Sequence, residues 1–221
     1  MKTRHLITSS ILALGLAPLS NAATINIDYG NGTLHTGTAV AADLGTTWNG
    51  FTADAVTDAA LVDSINNATS VTLTKGASLN HNSETGTAND LMQDYLHNGN
   101  AAITTQTVTF GGLVANGQYE LILYGLGDAS DQWTDFAVDA ANGGAAASTT
   151  GGARDTIASP DNYVTLNATA DGSGNLTYTW GRNIATYHGH NGLQLTAIPE
   201  PSSAALLGGL LALSAVMVRR R

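Results

Sequence analysis

The chain has 221 residues with eight basic and seventeen acidic side chains and no cysteine, which excludes disulfides, zinc–thiolate sites and thiol nucleophiles. Lys2, Arg4, Arg219, Arg220 and Arg221 lie at the two ends. Residues 24–197 therefore set three basic side chains against sixteen acidic ones, a net of −13 that excludes nucleic acid as a partner.

In chain order, Lys2, Arg4 and His5 precede an apolar stretch over residues 6–19 and the small-residue site Ser20-Asn21-Ala22. This pattern predicts a signal peptide over residues 1–23, cut after Ala22 or Ala23, with signal peptidase and the secretion machinery as partners. Residues 24–197 suit one domain with a real core. Alternating runs predict strands over residues 23–28, 70–75, 103–110, 118–124, 133–138, 163–168, 176–180 and 192–198. The turn signals are Gly30-Asn31-Gly32, Ala115-Asn116-Gly117 and Asp171-Gly172-Ser173-Gly174-Asn175, the last expected to close a hairpin. Helical spacing after Asn89 predicts a short helix over 89–97, and a second is expected within 53–65. The Gly/Ala/Ser/Thr-rich stretch 140–153 reads as a mobile loop. The sum is an all-β chain, an antiparallel β-sandwich of jelly-roll type flanked by a signal peptide and a C-terminal transmembrane helix.

Residues 198–221 form a third segment: Pro199-Glu200-Pro201, an apolar run over 204–218, and Arg219-Arg220-Arg221. With its flanking serines the run is at the short end of a membrane span, and the basic end favours the cytoplasmic side. The order of motif, span and basic tail resembles the PEP-CTERM sorting signal of Gram-negative bacteria. That resemblance implies exosortase as the partner that reads Pro199, Glu200 and Pro201. It also implies a transient inner-membrane anchor, delivery to the cell surface or extracellular matrix, and association with exopolysaccharide or biofilm.

Leu91-Met92-Gln93-Asp94-Tyr95-Leu96, Val108-Thr109-Phe110-Gly111-Gly112-Leu113, the run from Gly117 to Gly125, and Asn191-Gly192-Leu193-Gln194-Leu195 are similar to surface-protein sandwiches that look like galactose-binding/malectin-like carbohydrate modules. This likeness transfers no ligand-contacting residue.

Trp48 and Trp133 sit among polar or acidic neighbours and are candidates to stack on a sugar ring, with core packing as the equal alternative. Trp180 lies on an alternating face and is expected in the core. Asp128, Asp131 and Asp135 share one loop, which is either a solvated loop or a structural calcium site, the one cofactor the sequence suggests. The Asp171 loop begins like an EF-hand but has Arg182 where the bidentate glutamate belongs. His188 and His190 would share a strand face, with His35, His81 or His97 as a distant third metal ligand. A partly buried pair is the simpler reading. No Gly-x-Ser-x-Gly, His-Glu-x-x-His or phosphate-loop motif is present, so a noncatalytic module that binds carbohydrate is expected. The alternatives are a structural or adhesive matrix protein and a small polysaccharide-active enzyme.

Overall fold

A computed structural model describes residues 24–30, 33–41, 45–78, 89–97, 105–129, 131–182 and 187–199, together with the backbone of 80–83. The predicted signal peptide and the apolar run 204–218 lie outside the described residues, among which no helix is long and apolar enough to cross a membrane.

One sheet contains β1 (Thr24–Tyr29), β2 (Asn49–Phe51), β8 (Gln118–Tyr124), β11 (Tyr163–Thr169) and β14 (Gly192–Ala197), in the order β11-β8-β14-β1-β2. The facing sheet contains β3 (Val56–Val62), β4 (Ala68–Lys75), β7 (Thr105–Gly111), β9 (Asp135–Val138), β10 (Ala146–Ser148) and β12 (Leu176–Gly181), in the order β10-β9-β12-β7-β4-β3. A small third sheet joins β5 (Asn80–Ser83), β6 (Asp94–His97) and β13 (Gly189–His190). All pairings are antiparallel except β1 with β2.

The main core lies between the two larger sheets. Ile27, Leu193, Leu123 and Val164 form one row across the first sheet, and Phe110 and Leu176 pair on the second. Each such side chain contributes about 1.5–3 kcal/mol by leaving water. On β7 and β12 alternate residues turn inward, as their sequence pattern predicts, while threonines face out.

β1 departs from that pattern, because all six of its residues are buried. Ile25, Ile27 and Tyr29 join the main core. The other face is roofed by a second cluster that includes Ala41, Trp48, Leu91, Met92, Ile122 and Tyr124. Under this roof Gln194 ties three segments together: its Nε2 donates to Asn26 Oδ1 at 2.9 Å, and its Oε1 accepts from the Tyr124 hydroxyl at 2.7 Å and from Ala41 N at 2.8 Å.

Several local expectations need correction. Asn89 does cap a helical turn, its Oδ1 accepting from Leu91 N at 3.0 Å, but the turn spans only Asp90–Met92. The chain then enters β6, where pairing with β5 and β13 overrides the helical spacing. Residues 53–65 hold β3, whose register slips twice against β4, so its burial does not alternate. Residues 140–153 contain a turn at Ala140–Asn142 capped by Asp139, then β10 paired with β9. The buried Asn142 amide donates to Thr169 O and Asn175 O, both at 2.9 Å, which anchors this stretch rather than leaving it loose.

The Asp171 loop is a tight turn, but β11 and β12 lie in opposite sheets. It is an arch between sheets, not a hairpin. Residues 112–117 form a second arch, from β7 to β8, and the two are bonded to each other through Leu113 N to Gly174 O and Asn116 N to Asp171 O. The strand registers place both arches, the 63–67 turn, the start of β1 and the end of β14 at one end of the sandwich. The segments 125–134, 182 and 187–191 lie at the other.

Candidate functional site

The end opposite the arches gathers most of the chemistry. After β8 the chain turns through Gly125–Thr134, closed by a bridge between Leu126 and Trp133 and by Gly127 N donating to Gln132 O at 2.9 Å. Asn191 fixes the start of this loop: its Oδ1 accepts from Leu126 N at 2.8 Å while its amide donates to Asp94 O at 2.9 Å. Thr134 Oγ1 donates to Gly189 O at 2.5 Å and ties the end of the loop to β13.

Trp133 is half-buried, with the Arg182 guanidinium carbon only 3.2 Å from its ring centroid. Arg182 is itself buried and donates through Nη1 to Asp131 O at 2.6 Å. Burial lowers its pKa from the ordinary arginine value, opposed by the nearby carboxylates of Asp135 and Asp131. Arg154 donates to Met92 O through Nε at 3.1 Å and to Gln93 O through Nη2 at 3.2 Å. Its Nη1 reaches Asp128 Oδ1 at 3.2 Å, and its guanidinium lies over the Tyr95 ring at 5.5 Å. The Tyr95 hydroxyl also donates to Asp128. Beyond Tyr95, His97 meets the edge of Tyr187, a side chain 47 % exposed. The loop thus presents a half-buried Trp133 beside Asp131 and Gln132, while Asp128 is held by Arg154 and the buried Tyr95, and both guanidiniums are turned inward.

This arrangement sorts the candidates. Trp133 is only half-buried and is braced by an arginine. Trp48 is only 4 % exposed, donates from Nε1 to Gly37 O at 2.9 Å and packs on His35, so it is a core residue with no face for a sugar. Trp180 is buried in the main core as its pattern predicts. Asp128, Asp131 and Asp135 do not converge: Asp128 binds Arg154 and Tyr95, Asp135 accepts from Ser148 Oγ at 2.6 Å, and Asp131 engages Arg182 through its backbone. Among the described residues no three His, Asp or Glu side chains form a group able to hold a metal. Arginines supply the countercharge that the calcium reading assigned to an ion, and both come from distant segments the loop sequence does not announce.

His188 and His190 do share a face, and both meet Trp180. His190 is fully buried in a cage of Tyr29, Phe136, Tyr178 and Trp180. Its Nδ1 faces Tyr124 O at 2.9 Å, so that nitrogen carries the proton, and Nε2 accepts from the Tyr178 hydroxyl at 2.9 Å. With both nitrogens engaged it has no lone pair for a metal. Burial pushes its pKa down to about 3. His97 is paired with Gly189 on β13, so it shares that residue's face rather than the face of His188 and His190, and it packs on Tyr187; His35 packs on Trp48, and the side chain of His81 lies outside the described residues.

Asp28 occupies what its alternating strand makes an ordinary outward position, and no local signal marks it. Under the roof of the second cluster its Oδ2 accepts from His35 N at 2.7 Å, and Oδ1 has no partner. The buried Asp94 carboxylate lies over Gly30, where an added Cβ would come within 2.2 Å of it. Burial pushes Asp28 up to about 7, with Asp94 and Asp90 adding to the rise.

Pro199 is exposed, one residue beyond the bond from Ile198 N to Gln118 O. Glu200, Pro201 and Arg219, Arg220 and Arg221 lie outside the described residues.

No family model and no curated protein matches the chain. Similar solved structures include an isomalto-dextranase of Arthrobacter globiformis T6 complexed with panose, at 19% identity and a TM-score of 0.34 over 57% of this chain and 23% of that one. Another is an arabinose-bound GH51 α-L-arabinofuranosidase, at 9% identity and a TM-score of 0.32 over 58% of this chain and 22% of that one. The chain thus spans less than a quarter of either structure, and these likenesses decide neither activity nor ligand.

Proposed function

We propose that this is an envelope protein with a noncatalytic sandwich of jelly-roll type that binds carbohydrate at the Trp133 end, and that residues 198–221 are a sorting signal read by exosortase. The observation that carries the carbohydrate reading is the pairing of Trp133 with Arg182. A cation stacked on one face of an indole holds the ring in place, and the ring's remaining accessible surface is an apolar platform for the C–H face of a sugar. Asp131 and Gln132 beside it, and Asp128 across the loop, are the hydroxyl-binding groups such a platform needs at its rim. A noncatalytic role is supported by the engagement of Asp128 with Arg154 and Tyr95, which commits one of the loop's carboxylates to structural contacts.

The test is a glycan array with the mature protein, including exopolysaccharide from the producing organism, run with calcium and with chelator. Binding weakened about tenfold or more by Trp133→Ala, equivalent to about 1.4 kcal/mol, and unchanged by chelator is the expected result. Signals flat throughout would leave the structural matrix reading, and turnover of any glycan would favour the enzyme. The tail has its own test: Glu200→Ala, followed by mass and location in an exosortase-bearing host, should leave the precursor unprocessed. Unaltered processing removes the sorting reading.

A further inference from the structure

The arch end differs from the rest of the surface. Ile65 and Val114, 67% and 72% exposed, are the two most exposed large hydrophobic side chains among the described residues, and both project here. Ile65 tips the turn between β3 and β4, which is fastened to the start of β1 by Ser64 N donating to Thr24 O at 2.8 Å. Val114 tips the 112–117 arch. Behind it lies an apolar groove of about 220 Å³ lined by Ile25, Val71, Leu113, Tyr119, Leu195 and Ala197.

Of the acids at this end, Glu120 stands on β8 opposite Thr196, and the other three are turned into their own turns. Asp63 accepts from Ile65 N and Asn67 N, Asp139 from Ala141 N, and Asp171 from Ser173 N and Asn175 N, at 2.7–3.1 Å. All three basic side chains of the sandwich are remote: Lys75 ends β4 at the far end, and Arg154 and Arg182 serve the Trp133 loop. An apolar-tipped end without free cations suits a neutral lipid surface rather than an anionic one.

The chain also leaves the sandwich at this end. Ile198 is bonded to Gln118 O beside the arch, and the apolar run begins at Ala204. Six residue steps reach at most ~20 Å even when fully extended. We propose that the arch end is a lipid-docking surface, with Val114 and Ile65 entering the headgroup region of the membrane that carries residues 204–218, so that the Trp133 end is held outward. This rests on the reading of residues 204–218 as a membrane span. Exposed apolar side chains at a bilayer surface gain by partial burial among headgroups, and the short tether keeps them within reach of it.

The absence of cysteine allows labelling at one site at a time. Full-length Val114→Cys, Ile65→Cys and Ala129→Cys, the last on the exposed Trp133 loop, are labelled with an environment-sensitive fluorophore. Each is then reconstituted into phosphatidylcholine vesicles carrying a headgroup-depth quencher lipid. Labels at 114 and 65 should shift to the blue and lose most of their emission to the quencher, while the label at 129 stays aqueous. Protein that floats with the vesicles but keeps 114 and 65 aqueous overturns the docking surface alone. Protein that does not float overturns the anchor reading and the docking surface with it.

Discussion

His190 and Asp28 show how burial sets opposite demands on two ionisable residues. His190 stays neutral because its cage offers no solvent and both its nitrogens are engaged. Between about pH 3 and 6.5 the unfolded chain binds the proton that the folded state refuses, so this residue costs stability as pH falls through that window. Asp28 works the other way. Its folded value of about 7 lies above the unfolded 3.8, so the folded state holds the extra proton and stability is lost as pH rises from about 4 through 7. Asp28→Asn should therefore gain up to about 4 kcal/mol over the parent at pH 8 and lose that advantage near pH 4. Urea unfolding at the two pH values checks it; equal differences at both would mean that Asp28 does not titrate in this range.

Among the elements, the arches depend on backbone shape. Gly112 has φ +72° and a Cβ there would lie 2.1 Å from Ser70 O; Gly174 has φ +79° and its Cβ would lie 2.4 Å from Leu113 O. Either residue changed to Ala should cost about 1–3 kcal/mol through strain and displaced backbone. Gly172→Ala, with nothing within 4 Å, should stay within about 0.5 kcal/mol of the parent. Thermal unfolding of the three variants separates them, and a neutral Gly112→Ala would contradict the close packing of the arch. The same elements show which features local sequence can carry. β7, β11 and β12 were legible because one face meets the core and the other meets water. β1 was not, since residues far along the chain roof its second face. The Asp171 turn was legible as a turn, but the sheets it joins depend on pairings that no local pattern encodes. Residues 91–96 carry a helical spacing because Leu91, Met92, Tyr95 and Leu96 must all be buried, and a turn followed by a strand buries them equally well. At the site, Trp133 and its acidic neighbours stood out in sequence. Arg154, Arg182 and Tyr95, which decide what those neighbours do, were invisible because only the fold brings them there.

For the molecule as a whole, a net of −13 over residues 24–197 means that folding concentrates like charge. The few cations offset it only locally, and Arg154 with Asp128 is the one ion pair among the described residues. Added salt should therefore raise the melting temperature between about 0.01 and 0.15 M, where the screening length falls from about 30 to 8 Å. A midpoint that falls over that range would show that specific ion pairs outweigh general repulsion. The placement of β1 has a further consequence. The first strand of the sandwich lies between β2 and β14, the last, with Thr24 opposite Thr196 and Asp28 opposite Gly192. A chain delivered from its amino end presents β1 long before its principal neighbour arrives, and a contact spanning nearly the whole domain forms late. The seam between β1 and β14 therefore closes only once the last strand is present, and any product truncated before residue 192 would leave the centre of the first sheet unfilled.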